Sequence, residues 1–187
     1  MSFRKHNDEG FTGLEAAIVL IAFVVVAAVF SYVVLGAGFF TTQKAQETVY
    51  KGVEQSTANI QMIGNLYGLK TSGGTGIDEI KFSIGLAPGA PPIDLTKMKI
   101  VFSTPTTGPI ILTQGPAATT AVFTTKINGA GAVVDSMSAN DQVEVNFMVA
   151  SVTPNTKMNL ELRPSVGAAL PFSKTAPATI AATNILY

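Results

Sequence analysis

Glu9-Gly10-Phe11-Thr12-Gly13-Leu14-Glu15 runs without a break into the apolar stretch Ala16–Phe40, and the reading of that junction decides the fold. Between Glu15 and Lys44 the only ionisable residue is Tyr32. Nothing in Ala16–Phe40 is more polar than Ser31 and Tyr32. About 20 apolar residues suffice to cross the ~30 Å hydrocarbon layer of a bilayer, so this stretch is long enough. Ahead of it lies a short leader, Met1–Gly10, carrying Arg4, Lys5, His6, Asp8 and Glu9. An ordinary secretory signal is cut beyond its apolar core, at small residues. Here the attractive break, Gly10-Phe11, comes before the core. A cut at that point leaves the apolar segment in the mature protein, which is the logic of a class III, prepilin-type signal. Arg4 and Lys5 place the amino terminus on the cytoplasmic side.

The bland reading of the apolar segment is a membrane anchor, and hydropathy alone does not separate the two. Glu15 departs from a plain anchor, because a carboxylate at the edge of a spanning segment is costly. Thr12-x-x-Glu15 has the form of a capping box, in which the two side chains satisfy N–H groups at a helix start. A negative charge also suits that end of a helix. The other role for Glu15 is in assembly. It stands five residues into a chain that begins at Phe11, where it can attract a newly exposed α-amino group.

Composition removes several function classes. Lys plus Arg and Asp plus Glu both number 12, so the formal net charge is zero and the basic footprint of a nucleic-acid binder is missing. Cysteine is absent and His6 is the single histidine. Thiolate and multi-histidine metal sites and histidine-dependent catalysis therefore have no residues to use. Gly73-Gly74-Thr75-Gly76 lacks the Lys-Ser/Thr of a phosphate-binding loop and reads as a hinge. Asp135, Asp141 and Glu144 do not have the spacing of a calcium loop and read as a solvated face. No catalytic, cofactor-binding or metal-binding set is assigned, and the chain is expected not to be an enzyme.

All 10 prolines lie at or after Pro88. Proline costs about 3 kcal/mol inside a helix, so the first third is free to be one helix. Past Thr41 the chain turns polar but keeps a seam: Val49, Val53, Ser56, Ile60, Ile63 and Tyr67 alternate in steps of four and three. The spacing predicts a helix from Thr12 to about Leu66, roughly 80 Å long at 1.5 Å per residue. From Ile77 onward, apolar segments alternate with turn signals such as Pro88-Gly89, Gly115-Pro116, Asn128-Gly129 and Pro154-Asn155. About eight short strands so punctuated predict an antiparallel sandwich or barrel, immunoglobulin-like. The fold class is thus α+β. The expected divisions are a signal over 1–10, a long helix over 11–70 and a β domain over 71–187.

Gly10-Phe11-Thr12-Gly13-Leu14-Glu15, followed by Ala-Ala-Ile-Val-Leu-Ile-Ala-Phe-Val-Val-Val-Ala-Ala, resembles the start of an archaeal flagellin, a relative of the type IV pilins. The similarity extends through Gln43–Thr48 and returns at Leu160–Pro164 and Gly167–Pro171. It implies a subunit of the archaeal motility filament. A prepilin-type peptidase would read Arg4, Lys5 and Gly10 and cut before Phe11, and membrane machinery would then extract the helix. Ile18, Ile21, Phe23, Val25, Phe30, Leu35 and Phe39 would lie in the core of a helical polymer of identical or paralogous subunits. The precursor would wait in the cytoplasmic membrane and the product would be extracellular. An adhesive pilin, or a membrane-anchored β-sandwich binding module, would use the same parts.

Overall fold

The computed structural model describes residues 8–71 and 73–187, with side chains from residue 13 onward. Arg4 and Lys5 lie outside the described residues. The chain divides into two compact units, Met1–Tyr50 and Lys51–Tyr187.

One helix, α1 (Asp8–Thr57, 50 residues), forms the described part of the first unit and lends its last turns to the second. At 1.5 Å per residue it is about 75 Å long. It contains no proline that would break it. Because the helix already runs through Gly10, Phe11 and Thr12, Thr12-x-x-Glu15 does not mark its start in the full-length chain. That corrects the capping reading for the unprocessed protein.

The helix also stops earlier than the seam predicts. The Ala58 N–H makes the last helical bond to the Glu54 carbonyl (2.9 Å), and the Asn59 N–H turns back to Thr57 (2.8 Å). Strand β1 (Ile60–Leu69) follows at once. Ile60, Ile63 and Tyr67 are therefore strand residues, and the β unit starts before residue 71. The cause is pairing: β1 lies antiparallel to β2 (Ile77–Leu86), from Ile60 opposite Leu86 to Leu69 opposite Glu79. A bulge imitates the helical spacing. Ile63–Tyr67 faces Ser83–Lys81, four steps against two, with Gly64 at φ 77°. The insertion keeps strand alternation, with Ile60 and Leu66 buried six residues apart, while the outward Ile63 and Tyr67 stand four apart and so copy a helical step.

The remaining strands are β3 (Ile93–Asp94), β4 (Lys99–Ser103), β5 (Ile110–Gln114), β6 (Val122–Ile127), β7 (Ser136–Met137), β8 (Val143–Val152), β9 (Lys157–Arg163), β10 (Leu170–Thr175) and β11 (Thr183–Ile185). Of the eleven strands described, nine form one sheet in the order β10-β9-β4-β5-β6-β8-β2-β1-β11, while β3 and β7 pair separately. The β domain is thus a curled mixed sheet. Among the described residues its single parallel contact is β5 with β6; the other neighbours are antiparallel. The two ends of the sheet meet, since Thr175 and Tyr187 exchange backbone bonds of 2.6 and 3.2 Å. This closure removes most of the open edge that would otherwise recruit other strands. The ring centroids of Phe82 on β2 and Phe172 on β10 are 5.7 Å apart across the interior, although their strands are distant in the sheet.

Alternation places Ile80, Phe82 and Ile84 from β2 and Val143, Val145 and Phe147 from β8 in the core. Phe147 packs edge-on against both Phe82 and Phe102, the geometry that the ring quadrupole favours. At the helix end, a loop crosses so closely that a Cβ on Gly167 (φ 101°) would run into the Ala58 carbonyl oxygen. The Asn128-Gly129 pair, at φ 51° and 72°, forms a left-handed tight turn of the kind its sequence signals.

Candidate assembly surface on the helix

The residues that sequence reasoning placed in a polymer core are all on α1, and each lies open. Ile18, Ile21, Phe23, Val25, Phe30, Leu35 and Phe39 are more than half exposed. Phe23 and Phe30, two turns apart, share one face. Ile18, Ile21, Val25, Leu35 and Phe39 cluster toward the opposite one, given 3.6 residues per turn. A helix that is apolar all round cannot be satisfied by one docking partner; it needs to be surrounded. By length and composition it can cross a membrane, and none of its apolar window is buried within the chain.

Two features suit this surface to dry packing. Thr41 donates its hydroxyl to the Ala37 carbonyl (2.8 Å) and Thr42 donates to Gly38 (2.6 Å). Polar side chains at the end of the apolar run are therefore satisfied inside the helix and lose nothing when covered. At Gly36 and Gly38 an added Cβ would meet nothing within 4 Å, so no contact within the chain demands glycine there. Phe30, Val34, Leu35 and Phe39 line a groove beside Gly38. Small residues next to large ones allow another helix to approach closely. The sequence signal was available in Leu35-Gly36-Ala37-Gly38-Phe39.

Glu15 is exposed on the same helix. Val49 and Val53 continue the helical seam and are exposed, whereas Ile60 is buried in the β core and Ile63 and Tyr67 face outward from β1. The structure therefore keeps the first half of the seam and reassigns the second. Asp135, Asp141 and Glu144 are not assembled as a metal site: among the described residues no three acidic or histidine side chains gather. Asp141 instead accepts the Ser138 N–H (2.9 Å).

Comparison with known proteins decides the family. The family description "archaeal-type flagellin" matches residues 10–174. The chain belongs to the archaeal-type flagellins. A probable flagellin of Archaeoglobus fulgidus is 38% identical over 200 aligned positions, which cover 100% of this chain and 98% of that one. The archaeal flagellum of Methanospirillum hungatei strain JF1 superposes with a TM-score of 0.74 at 33% identity, over 94% of this chain and 99% of that one. A flagellin crystal structure from Methanocaldococcus jannaschii gives a TM-score of 0.60 at 15% identity, covering 69% and 96%, and supports the fold alone. This flagellin is a structural filament subunit of the archaellum and not an enzyme.

Proposed function

We propose that the chain is made as a precursor whose leader is removed between Gly10 and Phe11 by a prepilin-type peptidase that reads Arg4, Lys5 and Gly10. The precursor is held in the cytoplasmic membrane by α1 and handed by membrane machinery to a growing extracellular filament. There the apolar stretch exchanges lipid for the helices of other subunits, and Ile18, Ile21, Phe23, Val25, Phe30, Leu35 and Phe39 line the core. The observation that carries this reading is the complete exposure of the apolar window of α1. Fully covering one large apolar side chain contributes roughly 1.5–3 kcal/mol, so a run of them outweighs the usual costs of association. Head-to-tail contacts that do not close give a helical polymer.

In the processed chain the helix starts near Phe11. Thr12 and Glu15 then fall in its first turns, and Glu15 is placed to meet the new α-amino group of a neighbour as well as the helix dipole. Amino-terminal sequencing of protein sheared from cells, with electron microscopy of the same material, tests the proposal. Phe11 as first residue in visible filaments is the expected result. Filaments whose subunits begin at Met1 would overturn the processing step.

A further inference from the structure

Between Leu14 and Gln43 the polar side chains on α1 are Glu15, Ser31, Tyr32, Thr41 and Thr42. Each needs a hydrogen-bond partner once other helices enclose it. Thr41 and Thr42 have theirs in the Ala37 and Gly38 carbonyls. The Ser31 hydroxyl is as short as theirs and reaches the Ala27 carbonyl by rotation about one bond. Tyr32 has no such recourse. Its hydroxyl sits at the far end of a rigid ring, beyond a backbone whose N–H and C=O groups are paired within the helix. Tyr32 is 79% exposed, and Phe30, Val33, Val34 and Leu35 surround it along the apolar run. Helices that cover the run therefore cover Tyr32 as well.

Glu15 is the matching acceptor. Among the described residues no side chain pairs with Glu15 or with Tyr32. The next cation along α1, Lys44, is held by Glu47 at 2.7 Å. On one helix Glu15 and Tyr32 cannot meet, because 17 residues separate them by about 25 Å. They also point about 100° apart around the axis. One subunit thus carries a donor on one face and an acceptor on another, as a propagating head-to-tail contact requires. Gly36 lies one turn beyond Tyr32 on the same face, where an added Cβ would meet nothing within 4 Å. A neighbour's side chain has room to approach there.

We infer that in the filament the Tyr32 hydroxyl of one subunit donates to the Glu15 carboxylate of a neighbouring copy. That copy's helix runs parallel to the first and is shifted by about 25 Å toward its carboxyl-terminal end. The inference rests on the filament reading, and adds to it a partner for Tyr32 and the stagger between two helices. Both side chains lean toward the amino terminus, so their tilt leaves the stagger nearly unchanged. A hydroxyl-to-carboxylate bond is charge-assisted and belongs to the stronger class of hydrogen bonds. The carboxylate has two oxygens, so it can accept from Tyr32 and from an α-amino group together.

The test compares how fast filaments are lost in detergent, read by sedimentation, for four chains. These are the unsubstituted chain, Tyr32→Phe, Glu15→Ala and the two substitutions together. Tyr32→Phe keeps the ring and removes only the hydroxyl. Beside Glu15 it is expected to speed the loss roughly tenfold or more, the size of one hydrogen bond to a charged group. Beside Glu15→Ala it is expected to change nothing. Equal acceleration in both backgrounds, or none in either, would overturn the pairing and leave the filament reading intact. Should Glu15→Ala give no filaments, electron cryomicroscopy of the unsubstituted filament supplies the second measurement. The expected result is Tyr32 within hydrogen-bond distance of a neighbour's Glu15, across a stagger of about 25 Å. Tyr32 bonded to a neighbour's Ser31 or Tyr32 instead, or left in solvent, would overturn the pairing. An unsubstituted chain that forms no filaments would overturn the filament reading itself.

Discussion

Phe23 and Phe30 on the helix are each 69% exposed, whereas Phe123 and Phe147 in the β unit are 0% exposed. The side chains are the same and their fates are opposite. In the β unit, strands from distant parts of the sequence converge, so each apolar face finds a partner inside the chain. On α1, past Ser31 and Tyr32, the next polar residues are Thr41 and Thr42, and their hydroxyls are spent on the helix's own carbonyls. The difference teaches that folding and assembly draw on separate sets of apolar residues. One set makes the subunit; the other is held over for the polymer.

The comparison is tested most severely by placing a charge in each apolar set. Phe23→Asp, or equally Val25→Asp, is expected to abolish filaments, because an unpaired carboxylate in a dry helix bundle costs several kcal/mol in every subunit. Thermal unfolding of the β unit should be unchanged. Normal filaments seen by electron microscopy would sink the assembly role of this face. In the β unit, Phe123→Ala empties a fully buried site and should destabilise the fold by about 3–5 kcal/mol, read from a thermal or denaturant melt. A melt that is unmoved by Phe123→Ala but lowered by Phe23→Asp would reverse the assignment of the two sets.

The same division governs what could be read from the sequence. The helix through Phe40 and the eight segments from β2 onward that alternate or stop at turns were legible, since each rests on local periodicity. Strand β1 was not. Its inward residues Ile60 and Leu66 are spaced by a bulge at Gly64, and Val49–Tyr67 reads as one seam until the partner strand β2 is known. The two-residue strands β3 and β7 carry no periodic signal at all. The parallel contact of β5 with β6 and the meeting of Thr175 with Tyr187 are tertiary facts without a local trace. Of the candidate site, the apolar positions followed from composition and the small residues from Leu35-Gly36-Ala37-Gly38-Phe39; that the Thr41 and Thr42 hydroxyls are spent on the helix's own carbonyls needed the structure.

Glycine sharpens the comparison at smaller magnitude. Gly167→Ala forces a side chain into a left-handed backbone and against the Ala58 carbonyl, and should lower stability by at least about 1–3 kcal/mol. Gly38→Ala meets open space in an ordinary helical backbone and should stabilise the isolated helix by about 1 kcal/mol. If neighbouring helices approach at Gly38, filament yield nevertheless falls. A gain in helix stability with undiminished filaments would remove Gly38 from the assembly surface.

The smallest effect expected is electrostatic and belongs to the β unit. Asp94 accepts hydrogen bonds from the Thr96 hydroxyl and N–H and pairs with Lys97 at 2.9 Å. The Thr96 hydroxyl, followed by Lys97, holds its carboxyl down at about 2. The unfolded chain should titrate near the ordinary value of about 3.9. A carboxylate whose pKa is depressed by folding contributes stability above the unfolded value and loses it as pH falls toward the folded one. The contribution of Asp94 is therefore complete above about pH 4 to 5, shrinks as pH falls toward about 2 and is gone only below that. Its side chain is 38% exposed, so solvent screens the pair and the effect is modest. Melts of the β unit in wild-type and Asp94→Asn filaments should differ slightly at pH 7, and the gap should narrow as pH falls toward about 2 and close below it. Lys97→Ala should shift the titration less than Thr96→Ala, since the hydroxyl is the stronger influence. A gap between wild type and Asp94→Asn that stays constant down to pH 2 would show that the carboxylate acts through packing rather than through its charge.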